Sequence, residues 1–386
     1  MASGSRDVND LKVAMVRPYG YHFLDVYINE MYSPLSKIKY ITADFNMEEW
    51  NWLKLTKIEP VKLSVRPTFL FDPFFLRRGA YGIFSIARLI GMEKAMEGTD
   101  VVDTSEITTS FSYQTAKLST KLNVPLITSV IETIPHHIST LIPPYSHYAK
   151  FVLKKTDAFI ALTKRSEIFL KRAGANNEAI NLLHPGIDTS LFHPGITDDG
   201  EKIKVLFVGS LSKNKGIDDL LKVCRTLSED YSNLELWVCG QGPMVPLVKD
   251  YSKHFRIKYL GSVPWRKMPE VYRSCDIFSL PSKDLYKGGI KIWEEQFGIA
   301  LVEAMASGLP IVATDSGSIP DVIGDSNHIV LQSDLIGLKD ALRIFIEDEK
   351  QRRAVGMINR ERATRLFDGE KNAKSYADLI ARTVSS

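Results

Sequence analysis

Glu295-Gln296-Phe297-Gly298-Ile299-Ala300-Leu301-Val302-Glu303-Ala304-Met305-Ala306-Ser307-Gly308-Leu309-Pro310 is the stretch on which the reading of this chain turns. It predicts a turn at Phe297-Gly298, a helix running to Ala306, a glycine stop and a new strand. The turn holds one carboxylate, Glu295, and the helix carries the other, Glu303. The helix start between them offers backbone N–H groups to an anion. Paired acceptors suit a ligand rich in hydroxyls. A sugar joined to a phosphate has both features.

Outward from this stretch, short apolar runs alternate with helical patterns. In the second half the runs are Lys204–Gly209, Leu234–Gly240, Ile257–Gly261, Asp276–Leu280 and Pro310–Ala313, with helices from about Ile217 to Ser228 and Met268 to Cys275. The first half repeats the alternation. Its runs are Leu11–Val16, Asp100–Asp103, Pro125–Val130 and Ala158–Leu162, with helices at Ser112–Leu122 and Lys164–Ala173. Strands alternating with helices predict parallel sheets covered on both faces. After Leu191-Phe192-His193-Pro194, the polar stretch Gly195–Glu201 reads as a linker. The expected fold class is therefore α/β, with two Rossmann-like domains facing across a cleft. The first covers residues 1–195 and the second 196–369, and a C-terminal helix at about 370–386 crosses back to the first domain.

The bulk properties narrow the class. A chain of 386 residues has room for two ordinary domains. A net charge of +3 gives no footprint for nucleic acid, so no nucleic-acid partner is expected. Cys224, Cys239 and Cys275 are odd in number and widely spaced, without a CxxC pair. They fit a reduced, cytoplasmic setting, with Cys239 and Cys275 in apolar runs as core residues. The start, Met1–Asp7, is polar and lacks the apolar core of a signal peptide, and no uncharged stretch is long enough to span a bilayer.

Gly209-Ser210-Leu211-Ser212-Lys213-Asn214-Lys215-Gly216 follows one strand and precedes a helix. Glycine lets backbone approach a phosphate and Lys215 would place a point charge on it, though the loop also reads as a solvated surface turn. Gly240-Gln241-Gly242-Pro243 marks the next strand end. Further on come Leu260-Gly261-Ser262-Val263-Pro264, Asp276-Ile277-Phe278-Ser279-Leu280-Pro281-Ser282, the Glu295–Pro310 stretch and Ala313-Thr314-Asp315-Ser316-Gly317. In this order the motifs resemble the donor-binding domain of the retaining GT-B glycosyltransferases of family four, also called glycosyl transferases group 1. The resemblance covers most of the second half. In the first half it rests mainly on Leu182-Leu183-His184-Pro185-Gly186-Ile187-Asp188 and Phe192-His193-Pro194.

The resemblance implies roles for matching residues. Lys215 would bind the donor diphosphate, beside Gly209 and Ser210. Glu295 would contact hydroxyls of the transferred sugar, and Glu303 the nucleotide ribose. Backbone at Phe297, Gly298 and Ile299 would hold phosphate or sugar, and Val263 would lie against the base. Lys215 and Glu295 stand as the catalytic pair. No cofactor is implied beyond the nucleotide sugar substrate. Because the Asp-x-Asp triplet of the other major glycosyltransferase fold is absent, lysine and helix dipole are expected to replace a metal.

Three departures stand out. Ser210 occupies the place where the family usually has arginine, with Lys213 as the nearby cation. Lys283–Glu294 is longer than the family's minimum and reads as a flexible loop beside the site. Where many members carry a histidine after the third strand, this chain has Ile131-Glu132, with His136 and His137 following. Acceptor-side candidates are Gly20 and His22 in the loop after the first strand, then Glu106, Glu132 and His136. Each also reads as a solvated or capping residue.

Arg66–Arg78 is aromatic and basic, and Ala80–Ile90 adds Tyr81, Phe84 and Arg88. Residues 66–90 fit either peripheral contact with a membrane, at the inner face of which the protein would then lie, or a packed helix with exposed arginines. The sequence thus predicts transfer of a hexose from a UDP- or GDP-sugar, with retention, to a hydroxyl of a glycan, lipid-linked or small-molecule acceptor. Two other readings stay open: an epimerase or phosphorylase on the same fold, and a non-catalytic partner subunit.

Overall fold

In the computed structural model, which describes residues 7–17, 22–43, 53–67, 87–195 and 202–386, the first strand is β1 (Lys12–Val16). Its side chains alternate between two cores. Val13 and Met15 pack with Ile38, Tyr40, Ile127 and Ile160, whereas Ala14 and Val16 pack with Ile41, Val102, Phe111 and Phe159. A strand covered on both faces needs apolar residues in succession, which is why this run carries no polar alternation.

The first unit adds β2 (Lys37–Thr42), β3 (Ile58–Lys62), β4 (Val65–Pro67), β5 (Ala87–Leu89), β6 (Val101–Ser105), β7 (Leu126–Val130), β8 (Ala158–Ala161) and β9 (Ile180–Leu182). Six of these join β1 in one seven-stranded sheet in the order β3-β2-β1-β6-β7-β8-β9, every pair parallel. The order reverses between β1 and β6, the switch point where ligands meet open α/β sheets. β4 and β5 form a separate antiparallel ribbon. The packed-helix reading of Ala80–Ile90 is corrected at its described end: Ala87 and Leu89 are buried strand residues and Arg88 points out between them. Most of the aromatic and basic stretch lies outside the described residues.

The helix Gly369–Ser385 joins this unit although it ends the chain. Ala373, Tyr376, Ala377 and Ile380 recur at helical spacing, and Tyr376, Ala377 and Ile380 complete the core around Val13 and Met15.

The second unit repeats the plan with β10 (Ile203–Val208), β11 (Leu234–Cys239), β12 (Ile257–Gly261), β13 (Ile277–Leu280), β14 (Leu285–Lys287), β15 (Ile290–Trp293), β16 (Ile311–Thr314) and β17 (His328–Val330). Its parallel sheet runs β12-β11-β10-β13-β16-β17, so order reverses between β10 and β13. The helix Ile217–Asp230 buries Ile217, Leu220, Leu221, Cys224 and Leu227, an apolar stripe of helical period. Lys283–Glu294, expected as a flexible loop, contains the antiparallel hairpin β14–β15. All three cysteines are buried and free.

The units divide after Gly186 and again at Gly369. Ile187–Gly195, grouped with the first domain in the sequence reading, therefore packs in the second. Ile187 bridges Asp368, and Phe192 is fully buried against Trp265 and Tyr272 at ring distances of 5.5 and 5.8 Å. Arg360 ties this segment down, its guanidinium donating to the carbonyls of Thr189, Phe192 and Ala306 at 2.9, 2.7 and 2.9 Å. Apolar content in Leu191-Phe192 gives this segment a core to join, which its Pro and His residues hide in the sequence.

Candidate functional site

β10 and β13 are neighbours at the switch point of the second unit, so the loops leaving their C-terminal ends meet. After β10 the chain passes Gly209 and the exposed Ser210 and makes a short turn over Lys213–Lys215. Gly216 then opens the helix Ile217–Asp230 with φ 71°, and a Cβ there would lie 1.8 Å from the Pro281 carbonyl oxygen. Only glycine allows both the left-handed backbone and this approach. The contact holds Lys215 against the end of β13. Lys213 stays exposed.

Lys215 Nζ donates to both oxygens of Glu295, at 2.9 and 2.7 Å. The same ammonium lies 5.0 Å from the centroid of the Trp293 ring. Ser282 Oγ, fully buried, donates to Glu295 Oε2 at 2.7 Å. The glutamate backbone is fixed too. Its N–H donates to Ser316 Oγ at 3.1 Å and its carbonyl accepts from the Ser318 N–H at 2.8 Å. Gly317 makes this possible: at φ 51°, a Cβ there would sit 2.0 Å from the Glu295 carbonyl oxygen. Glu295 is only 4% exposed, and Lys215 keeps about a fifth of its side chain in solvent. Ser282 and Trp293 belong to this cluster but carry no role in the sequence reading. Pro281-Ser282 stood within the quoted motif; Trp293 sat in the loop that reads as flexible.

Glu303 is placed differently. Its carboxylate is buried on the helix Ile299–Ala306 and accepts from Trp265 Nε1 at 3.0 Å and from the Tyr272 hydroxyl at 2.8 Å. Burial pushes its pKa up to about 7, against the opposing pull of those two donors. The two glutamates therefore occupy separate hydrogen-bonding environments. Gly298 precedes the helix and supplies no side-chain cap, leaving the helix start as a backbone N–H surface, while Phe297 is buried against Phe367. Val263 lies partly exposed after β12.

In the first unit, the end of β1 carries a buried ionic cluster. Arg17 reaches Asp103 at 2.5 Å and Asp25 at 3.4 Å. Tyr376 and Ser129 donate to Asp103 at 2.7 and 3.0 Å. Burial works against the Arg17 charge, but Asp103 and then Asp25 more than offset it and raise its pKa. This cluster was not singled out from sequence, because its members are spread from Arg17 to Tyr376.

Glu106 and Glu132 follow β6 and β7. Glu106 adopts φ 66°, uncommon for a residue with a Cβ, and its Oε1 accepts from the Ile131 N–H at 2.8 Å. Burial, with Glu132 adding repulsion, pushes its pKa up to about 8. Glu132 Oε1 accepts from the N–H groups of Thr133 and Ile134, both at 2.9 Å. The histidine beside it is the buried His137, 4.0 Å from Glu132 Oε2 and 2.7 Å from Ser139 Oγ. His136 is exposed instead, next to Arg172 at 3.4 Å. Gly20 lies outside the described residues, and His22 begins the helix His22–Tyr32. Among the described residues, no group of three or more His, Cys, Asp or Glu could hold a metal ion, and no helix is long and apolar enough to cross a membrane.

Two Rossmann-like units in one chain, with a lysine–glutamate pair at the switch point of the second, define a protein of the GT-B fold. Residues 189–362 match the family described as glycosyl transferases group 1. The D-inositol 3-phosphate glycosyltransferase of Corynebacterium kroppenstedtii is 28% identical over 230 residues, 53% of this chain and 48% of that protein. The chain thus spans about half the length of such relatives. Among solved structures, Anabaena HepE in complex with UDP superposes with a TM-score of 0.74 at 16% identity, covering 96% of this chain and 100% of that one. Sucrose-phosphate synthase from Thermosynechococcus elongatus gives 0.73 at 17%, over 97% and 99%. These structural likenesses bear on the fold.

Proposed function

We propose that the protein is a retaining hexosyltransferase that uses a nucleotide diphosphate sugar, UDP- or GDP-linked, and a hydroxyl acceptor on a glycan, lipid-linked or small molecule. The observation that carries this reading is the Lys215–Glu295 pair at the β10–β13 switch point, backed by Ser282. Lys215 is the cation for the leaving diphosphate. The uncapped start of the helix Ile299–Ala306 adds backbone N–H groups and the positive end of its dipole. Glu295 receives hydroxyls of the transferred sugar, and Glu303 those of the ribose. On this reading the lysine and helix start, rather than a divalent ion, carry the leaving-group charge.

In the reaction the bond from the anomeric carbon to phosphate oxygen breaks as negative charge gathers on the diphosphate. The acceptor oxygen forms its bond on the same face, and its proton passes to the departing phosphate oxygen. Electrostatic stabilisation of the leaving group is the main catalytic term. Glu295 positions and stabilises the sugar rather than attacking it, since hydrolases of retaining type need two close carboxylates flanking the bond. The first unit supplies the acceptor side, with Glu106 and Glu132 as its hydrogen-bonding groups, and the protein works in the cytoplasm. The test is incubation of UDP- and GDP-hexoses with and without acceptor. Nucleoside diphosphate release that is retained in EDTA supports the reading. Epimerised nucleotide sugar, or dependence on inorganic phosphate, overturns it.

A further inference from the structure

The hairpin β14–β15 is joined to the Lys215–Glu295 pair at both of its ends. From the strand β15, Trp293 offers its ring face to the Lys215 ammonium at 5.0 Å. From the residue before β14, Asp284 accepts from Ser316 Oγ at 2.6 Å, and Ser316 in turn accepts the Glu295 N–H at 3.1 Å. Lys291 closes the circuit, pairing with Asp284 at 2.5 Å and Glu294 at 2.9 Å. The tip of the hairpin is in solvent, with Tyr286 60% and Ile290 47% exposed. Its base is therefore fixed to the site while its tip contributes nothing to a core.

We propose that Trp293 is a positioning residue that holds the Lys215 ammonium where a diphosphate will arrive. This rests on the proposed function of Lys215. The ring contact matters when Glu295 turns to other partners. Without ligand, two of the three ammonium donors are spent on Glu295. When a sugar hydroxyl competes for that carboxylate, the aromatic face still attracts the cation without consuming a donor, so the N–H groups are released toward phosphate oxygens. A flexible lysine stem needs such a constraint, because a free one would spend rotamer entropy on binding.

The experiment compares binding of UDP and GDP with UMP and GMP, by titration calorimetry, in the full chain and in Trp293→Leu, Trp293→Phe and Lys215→Met. Trp293→Leu should weaken diphosphate binding by about two- to fivefold, the size of a cation–π contact, and leave monophosphate binding unchanged. Trp293→Phe should keep wild-type diphosphate affinity within about twofold. Unchanged diphosphate binding in Trp293→Leu overturns the inference, and so does equal weakening of mono- and diphosphate, which marks a general structural role. Loss in Trp293→Phe as large as in Trp293→Leu also overturns it. Should the leucine variant melt early, Trp293→Gln takes its place at this half-exposed position. If Lys215→Met itself binds the diphosphates as wild type does, the reading of Lys215 fails and the Trp293 inference falls with it, whereas weakening in Lys215→Met with none in Trp293→Leu overturns the inference alone.

Discussion

Lys215 and Glu295, eighty positions apart in the chain, form a two-pronged ion pair in which the carboxylate is buried and the ammonium partly exposed. That asymmetry has a consequence for stability. Lys215→Met leaves a buried charge with Ser282 as its remaining side-chain donor, whereas Glu295→Gln leaves a lysine that water can reach. The first should cost about 1–3 kcal/mol and the second less. The double variant should be less destabilised than the sum of the two, a coupling read from thermal melts of the four proteins. Equal and additive effects would show that the pair is not coupled in the folded chain.

Gly216→Ala should damage the site more than its size suggests. The substitution meets both a left-handed backbone and the Pro281 carbonyl, so the loop carrying Lys215 must shift away from β13. The expected outcome is a folded protein, by circular dichroism, with nucleoside diphosphate affinity lowered to about the level of Lys215→Met. Wild-type affinity would mean that the close approach does not position Lys215.

Tyr376→Phe tests how the C-terminal helix is held. It removes one buried hydrogen bond to Asp103 and keeps the ring in the core, and should cost about 0.5–1.5 kcal/mol. Chemical denaturation followed by fluorescence measures the loss. No loss would mean that Arg17 and Ser129 already satisfy the Asp103 carboxylate.

Glu106 sets a pH dependence. Its pKa lies at about 8 in the folded chain against 4.5 for an ordinary glutamate, so between those values the folded state keeps a proton that the unfolded state has lost. The stabilising contribution is full below the ordinary value and is lost as pH rises toward 8. Glu303 acts with the same sign, its folded value being about 7. Glu106→Gln keeps an acceptor for the Ile131 N–H and should flatten the fall in melting temperature between about pH 5 and 8. An unaltered slope would show that the Glu106 carboxyl ionises as in water.

Much of the second unit was legible because each strand end there carries its own punctuation. Glycines at Gly209, Gly240, Gly261 and Gly308 follow apolar runs, so β10, β11, β12 and the helix stop before β16 could be placed from local chemistry. The turn and helix around Glu295 were equally local. What the sequence hid was non-local. β2 and β3 mix lysine and glutamate with apolar residues, Lys37-Ile38-Lys39 and Ile58-Glu59, because they approach the sheet edge. Trp293 acquires its partner only when a hairpin folds it back, and no periodicity in Lys283–Glu294 announces that. The Arg17–Asp103–Tyr376 cluster assembles from three distant points. His136, an acceptor-side candidate, is exposed while His137 is buried beside Glu132, a difference that the local sequence does not carry.

On the proposed function, Lys215 and Glu295 perform the chemistry of sugar transfer from a nucleotide donor. The most direct measurement is steady-state release of nucleoside diphosphate from UDP- and GDP-hexoses by the wild-type protein, Lys215→Ala and Glu295→Ala, each checked for folding. Measurable release by the wild type is expected, with a fall of about a hundredfold or more in each variant, the scale of losing one electrostatic stabiliser at a developing charge. Wild-type turnover in both variants would contradict it.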